Sequence, residues 1–304
     1  MSLAQIPIVH AILDAKPLGV EIQKHYHFAE PFHCELLVRG MNDVYLIRTG
    51  GERFAARCYR HDGMPEAKVA YEVAFLAHLD RAGVPVPAPI STTNGTLHFM
   101  VGGPEGPRAV AVFRYIEGNV LFQNPTPVPH ARRLGEYLAR IHLAGRDFHF
   151  EPRRVIDRAG LIRNGIEDLV WLCSDRPEDA QYYPRASVAV ADALDALDPK
   201  AMPYGPCHGD VHAHNAFVDD RGRLTVMDFE SCGEDFWAAE LISFTWAGRK
   251  NRLPEDVIAA FHDGYDSERP RSAAERACEP LQGNSYSSPA PCAQHRASTA
   301  RRED

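Results

Sequence analysis

Between positions 208 and 229 the chain gathers side chains that could do chemistry: His208-Gly209-Asp210-Val211-His212-Ala213-His214-Asn215, then Val226-Met227-Asp228-Phe229. The set supplies a carboxylate at Asp210, an amide at Asn215 and a second carboxylate at Asp228. Phosphoryl transfer from a nucleotide needs those groups. One carboxylate orients an attacking hydroxyl, while an amide oxygen and another carboxylate hold the Mg²⁺ that bridges the phosphates. Asp210, with His208 and Asn215 around it, is therefore the candidate catalytic group. Asn215 and Asp228 are the candidate metal pair. A second chemistry is open to the same stretch: His208, Asp210, His212 and His214 could form a transition-metal cluster of the kind hydrolases use. That alternative asks for further ligands on other strand ends and a repeating strand–helix layout, which the sequence does not offer.

The elements around these residues can be read from pattern. Gly209 and the crowded His/Asn composition suit an irregular loop better than a helix interior. Ala216-Phe217-Val218 and Leu224-Thr225-Val226-Met227 read as short strands, and Asp219-Asp220-Arg221-Gly222-Arg223 between them is turn chemistry, so a hairpin is predicted. A hairpin of that length returns Asp228 to the loop that starts it. Two hard oxygen ligands with room for phosphate and water suit Mg²⁺.

Further upstream, residues Pro65 to Ala82 read as a helix, with Pro65 at its first turn and Gly83 past its end. Val69, Val73, Leu76 and Leu79 mark its apolar stripe, and Glu72 falls on the same stripe. An inward carboxylate is costly unless a cation pairs with it. Arg57 on the preceding strand is the natural partner, unless Glu72 lies at the stripe's edge and reaches water.

The pattern H-G-D-x-H-x-x-N followed by a strand ending in D-F-E resembles the aminoglycoside phosphotransferase and choline kinase-like family, which includes homoserine-kinase-type enzymes. His208, Asp210, Asn215, Asp228 and Phe229 also fall on the protein-kinase template, with Gly209 in place of Arg and Glu230 in place of Gly. The resemblance covers most of residues 35–266. It implies ATP and Mg²⁺ as cofactors and a small-molecule hydroxyl acceptor such as an aminoglycoside, choline or homoserine. It makes Arg39 to Tyr45, with Asn42, similar to a nucleotide-covering turn. It makes Arg57 the phosphate-pairing cation, held by Glu72, and Ala109 to Gly118, with Tyr115, the hinge that holds adenine. By pattern alone that last segment reads equally as an ordinary core strand. His142 matches a family position and reads as structural. Glu240 stands where the family usually has Asp, a residue that steadies the catalytic loop.

The resemblance further implies an α+β, bilobal, protein-kinase-like fold with a β-rich N-lobe and a mainly helical C-lobe. Residues 1–116 would form the N-lobe, an antiparallel sheet plus one helix, and 117–266 the C-lobe. Leu134, Tyr137, Leu138 and Ile141 outline an amphipathic helix to about residue 144. Leu161 to Cys173, Val188 to Leu197, and Trp237, Leu241 and Phe244 outline three more. Residues 267–304, rich in Ser, Ala, Pro and Arg, are expected to be disordered. Such a tail would leave the substrate wall unfinished, so an inactive nucleotide-binding module is an alternative to an active enzyme.

Composition fits this frame. A chain of 304 residues with 45% hydrophobic content can bury a core. No run reaches 18 apolar residues and no secretory signal is evident, so no membrane partner is expected. Seven cysteines without a C-x-x-C pair suit a reducing cytoplasm. Residues 1–150 hold 15 Lys/Arg and 14 Asp/Glu, whereas 151–266 hold 12 against 22. The acidic surplus argues against nucleic acid and leans toward a cationic acceptor, although solvated helix faces explain it equally well.

Overall fold

A computed structural model describes residues 8–121, 127–198 and 200–278. The first half is a five-stranded antiparallel sheet in the order β1-β2-β3-β5-β4, with β1 Phe32–Val38, β2 Asp43–Thr49, β3 Glu52–Cys58, β4 Phe99–Gly103 and β5 Gly106–Arg114. Alternation along the strands sends side chains to two different cores. Ala56 and Cys58 of β3, with Val110 and Val112 of β5, pack on Leu18 and Ile22 of helix α1 (Ala15–His25). Ala109, Ala111 and Phe113 face the other way, toward helix α2 (Glu66–Arg81). Arg57, one residue out of phase with Ala56 and Cys58, is thereby turned to the α2 side.

The upper lobe thus carries two helices, not the single one expected. Helix α1 has only 11 residues, and its entry is set by Asp14, whose side chain accepts from the Lys16 backbone N–H. Short helices owe their stability to tertiary packing, so periodicity announces them poorly. The α2 stripe is as predicted: Val69, Glu72, Val73, Leu76 and Leu79 are all buried.

The second half is mainly helical. Helix α3 (Pro127–Gly145) buries Leu134, Tyr137, Leu138 and Ile141. The segment expected as one helix from Leu161 is two, α4 (Arg158–Asn164) and α5 (Ile166–Leu172), divided at Gly165. Helix α6 (Pro177–Asp195) covers the next predicted segment, with Ala191 its one buried residue. Four short strands then frame the site: β6 (Asn119–Val120), β7 (Tyr204–Cys207), β8 (Ala216–Val218) and β9 (Leu224–Val226). Strand β10 (Gly233–Phe236) pairs with β7, and β6 pairs with the β8–β9 hairpin. Helix α7 (Trp237–Lys250) begins at the predicted Trp237.

The chain's end departs from expectation. Helix α8 (Glu255–Glu268) packs along α3, where a Cβ on Gly135 would lie 1.9 Å from the Phe261 carbonyl oxygen, and one on Gly264 equally close to that of Arg132. Helix α9 (Ala273–Ala277) follows, closed by a capping box between Ser272 and Glu275. Residues 267–278 therefore belong to the folded lobe, because Arg269, Arg271 and Glu275 are buried against it. Residues 279–304 of the expected tail lie outside the described residues. None of the described helices is long and apolar enough to cross a membrane.

Candidate active site

The predicted hairpin is present, and its register explains the site. Ala216 pairs with Val226 and Val218 with Leu224. Asp219 shapes the turn by accepting from the backbone N–H groups of Arg221 and Arg223. The Met227 backbone N–H then donates to the Asn215 carbonyl at 2.8 Å, which brings the next residue, Asp228, beside the loop. Asp228 sits in the left-handed region at φ 69°, a conformation Asp tolerates better than most residues. The Asn215 side-chain amide donates to the Asp210 carbonyl at 3.1 Å and to its Oδ2 at 3.4 Å. Its Oδ1, like Oδ2 of Asp228, receives no hydrogen bond from the described residues. Two hard oxygens thus stand open next to Asp210, a donor set that fits a divalent cation of the Mg²⁺ type.

Across the cleft, Arg57 joins the two lobes. Its NH1 lies 3.2 Å from Glu72 Oε1 and its NH2 lies 3.3 Å from Asp228 Oδ1. Tyr59 Oη donates to the same Glu72 oxygen at 3.0 Å. Burial raises the Glu72 pKa against the pull of Arg57 and Tyr59. Burial works against the charge of Arg57, yet Glu72, Tyr59 and Asp228 outweigh it and raise its pKa. The strand–helix pair expected from the stripe is formed, and Glu72 reaches no water: its side chain is 1% exposed.

The loop itself is held from below by Glu240. Its Oε1 accepts from Gly209 N–H at 2.6 Å and its Oε2 from His208 N–H at 3.2 Å. Glu therefore does here what the family's Asp does. Burial tends to raise the Glu240 pKa, but His142 and the backbone donors outweigh it and the value is lowered. An ionised Glu240 cannot donate, so His142 Nε2 donates to it at 2.8 Å, and His142 Nδ1 accepts from Tyr265 Oη at 2.7 Å. Burial lowers the His142 pKa, consistent with a neutral ring. Tyr265 Oη in turn accepts from Arg269 at 2.9 Å, and Arg269 pairs with Glu275 of α9 at 2.8 Å. From Arg269 through Tyr265 and His142 the donors point toward Glu240, so each of these bonds polarises the next, while Arg269 also donates the other way to Glu275.

The remaining predicted residues are placed as follows. His208 is fully buried, and burial lowers its pKa. Its Nδ1 accepts from Asp210 N–H at 3.2 Å, so its Nε2 donates to the Met227 carbonyl at 3.0 Å. It pins the loop to the hairpin and does not face the cleft. Asn42 lines the cleft, but its amide is already engaged: Oδ1 accepts from Arg60 N–H, and Nδ2 donates to Glu230. Tyr115 lines the cleft with Arg53 stacked on its ring. His212 Nε2 lies 3.5 Å from Asp210 Oδ2, and His212 Nδ1 accepts from His214 N–H. Among the described residues His208, Asp210, His212 and His214 do not converge as a metal cluster; the one convergent set is His142 and Glu240 of the network just described with the buried Cys207, whose thiol donates to the Gly205 and Asp235 carbonyls. Glu230, bridged to Asn42, was not singled out by sequence. Its place in the D-F-E triplet was the available signal.

Arg57, Glu72 and Asp228 stand at one end of a cavity of about 530 Å³ between the lobes. Val38, Val44, Ala55, Leu76 and Phe113 make its walls apolar.

Comparison with known proteins gives the family and the fold. Residues 37–277 match the family described as "Phosphotransferase enzyme family". An uncharacterized protein of Deinococcus radiodurans is 30% identical over 283 residues, covering 92% of this chain and 81% of its own. A homoserine kinase of Rhodospirillum rubrum is 31% identical over 255 residues, covering 82% and 75%. The solved structure of amicoumacin kinase hAmiN in complex with AMP-PNP, Ca²⁺ and Ami superposes with a TM-score of 0.69 at 16% identity, covering 84% of this chain and 78% of that one. The fold is the bilobal, kinase-like α+β fold.

Proposed function

The chain belongs to the phosphotransferase enzyme family, and from that premise we propose that it transfers the γ-phosphate of ATP to a hydroxyl of a small molecule, with Mg²⁺ as the divalent ion. The observation that carries this reading is the convergence of Asp210, Asn215 and Asp228 on one loop–hairpin unit facing the Arg57–Glu72 pair. The relatives named homoserine kinase keep amino alcohols within the acceptor class. Free thiols at Cys34, Cys58, Cys173, Cys207, Cys232 and Cys278 support the cytoplasm as the place of action.

Each residue then has a definite task. The apolar walls of the cleft receive the base, beside Tyr115. Arg57 offers a planar fork to the inner phosphates, and Glu72 keeps that fork aimed. Asn215 Oδ1 and Asp228 would hold the divalent ion, which neutralises phosphate charge when bound. Asp210, half exposed and ionised, accepts the hydroxyl's hydrogen bond and orients its oxygen. As the bond from that oxygen to phosphorus forms, the bond to the leaving ADP oxygen breaks and the hydroxyl proton passes to Asp210. The Asp210 pKa is lowered, first by His212, so positioning outweighs basicity in this step.

A thermal-shift measurement with Mg-ATP, run beside an ADP-release assay over a panel of alcohols, tests this reading. Stabilisation together with acceptor-dependent ADP release is expected. Stabilisation without turnover on any acceptor would instead indicate an inactive nucleotide-binding module.

A further inference from the structure

A second interlobe cavity, of about 770 Å³, adjoins the nucleotide cleft. The two share Met41, Asn42 and Glu230, so the Asn42–Glu230 hydrogen bond forms part of the partition between them. Gly209, the residue before Asp210, lines the second cavity. An acceptor lodged there would lie next to the catalytic loop and beneath the nucleotide-covering turn.

The charged lining of this cavity is four cations, Arg60, Lys68, Arg154 and Arg158, against two carboxylates, Asp157 and Glu230. Arg158 is engaged by the buried Asp235. Arg60, Lys68 and Arg154 form no ion pair with a carboxylate among the described residues. Arg154 is nonetheless fixed in place: it donates to the backbone carbonyls of Glu230 and, at 3.5 Å, Lys68. Neutral carbonyls orient the guanidinium without cancelling its charge. Asp157 is occupied as the cap of α4, and Glu230 holds Asn42. The acidic surplus of residues 151–266 does not define this space. Asp192 and Asp195 lie around Arg163, and Asp179 lies beside Arg176, all on outer helix faces. Asp157 and Glu230 keep their negative charge, since their hydrogen-bond partners are neutral, but Arg60, Lys68 and Arg154 outnumber them. A cavity walled by an excess of cations focuses a positive potential and draws anions.

Resting on the phosphotransfer reading above, we propose that this cavity binds the acceptor and that the acceptor carries an oxyanion, a carboxylate or a phosphate monoester. Lys68, Arg60 and Arg154 grip the oxyanion while the hydroxyl reaches Asp210. An acceptor with an additional ammonium group is compatible, since the oxyanion is the feature these cations select.

The test compares matched acceptors by ADP release with Mg-ATP. Hydroxy acids are set against their primary amides and the corresponding amino alcohols, and sugar phosphates against the free sugars. The oxyanion-bearing member of the best pair should lead by about tenfold or more in kcat/KM. The leading pair decides between carboxylate and phosphate. Lys68→Ala and Arg60→Gln should each raise KM for that acceptor about tenfold while leaving KM for ATP within about twofold. Lys68 is solvent-exposed, and an unchanged melting temperature of Lys68→Ala would show that folding is intact. Better turnover of the amides, amino alcohols or free sugars would overturn this assignment alone. Transfer to no acceptor would overturn the phosphotransfer reading and this assignment with it.

Discussion

Glu240 Oε1 lies 2.6 Å from the backbone nitrogen of Gly209, and that bond ties helix α7 to the residue immediately before Asp210. The other carboxylate oxygen takes the preceding N–H, so one side chain fixes two successive peptides of the loop that carries Asp210. Replacing it with alanine strands both donors in a buried site. Glu240→Ala should lose about 2–5 kcal/mol of stability, at roughly 1–3 kcal/mol for each stranded group. Urea unfolding measures the loss. Tyr265→Phe, which removes the bond to His142 and the one from Arg269 but leaves both loop N–H groups paired, should cost about 1–3 kcal/mol.

Glu72 aims Arg57. In Glu72→Gln the cation loses its buried counter-charge and is drawn to Asp228, 3.3 Å away. The expected result is a fall of about 10²-fold in kcat/KM for ATP, comparable with removing one preorganised charge contact from an active site. Arg57→Lys keeps the charge without the planar fork, so its activity should fall between that of the wild type and that of Arg57→Ala. Steady-state kinetics with varied ATP distinguishes these outcomes.

The Asp210–His212 pair gives a pH dependence with a definite sign. Asp210 is held below its ordinary 3.8, first by His212, and His212 is held above its ordinary 6.5, first by Asp210. The Asp210 contribution to stability is present above 3.8 and is lost as pH falls through its lowered value. The His212 contribution is complete below 6.5 and is lost as pH rises through its raised value. The pair is therefore most favourable between those ordinary values. In His212→Asn the acid limb of the pH–rate profile should move to higher pH, because Asp210 then protonates more readily.

Gly209 cannot be replaced without moving the loop. It has φ 88°, and a Cβ there would lie 2.3 Å from the Ser231 carbonyl oxygen. Gly209→Ala should reduce kcat by about tenfold or more, since a shift of about 1 Å in a positioning loop can cost that much. A parallel melting curve separates loop displacement from general unfolding.

Much of this site was legible in the residues themselves. Periodicity placed Glu72 on a buried stripe, and its partner followed from the cost of burying a lone carboxylate. Turn chemistry at Asp219 to Arg223 gave the hairpin that returns Asp228 to the loop. Other features depend on contacts between residues far apart in sequence. Composition suggested disorder after residue 266, yet 267–278 are folded through buried polar contacts such as Arg269 with Glu275 rather than through an apolar stripe. The inward turn of His208 and the engaged amide of Asn42 are likewise set by tertiary partners, Met227 and Glu230.

Asp210→Asn offers the most direct test of the proposed reaction. It keeps the shape of the side chain and removes the charge that orients the hydroxyl. ADP release with the best acceptor and Mg-ATP binding should be measured on the same preparation. We predict that turnover falls by at least about 10³-fold, within the usual 10²–10⁴-fold contribution of an acid–base group, while ATP affinity changes by less than about threefold. Unchanged turnover would contradict the role assigned to Asp210 and, with it, the proposed reaction.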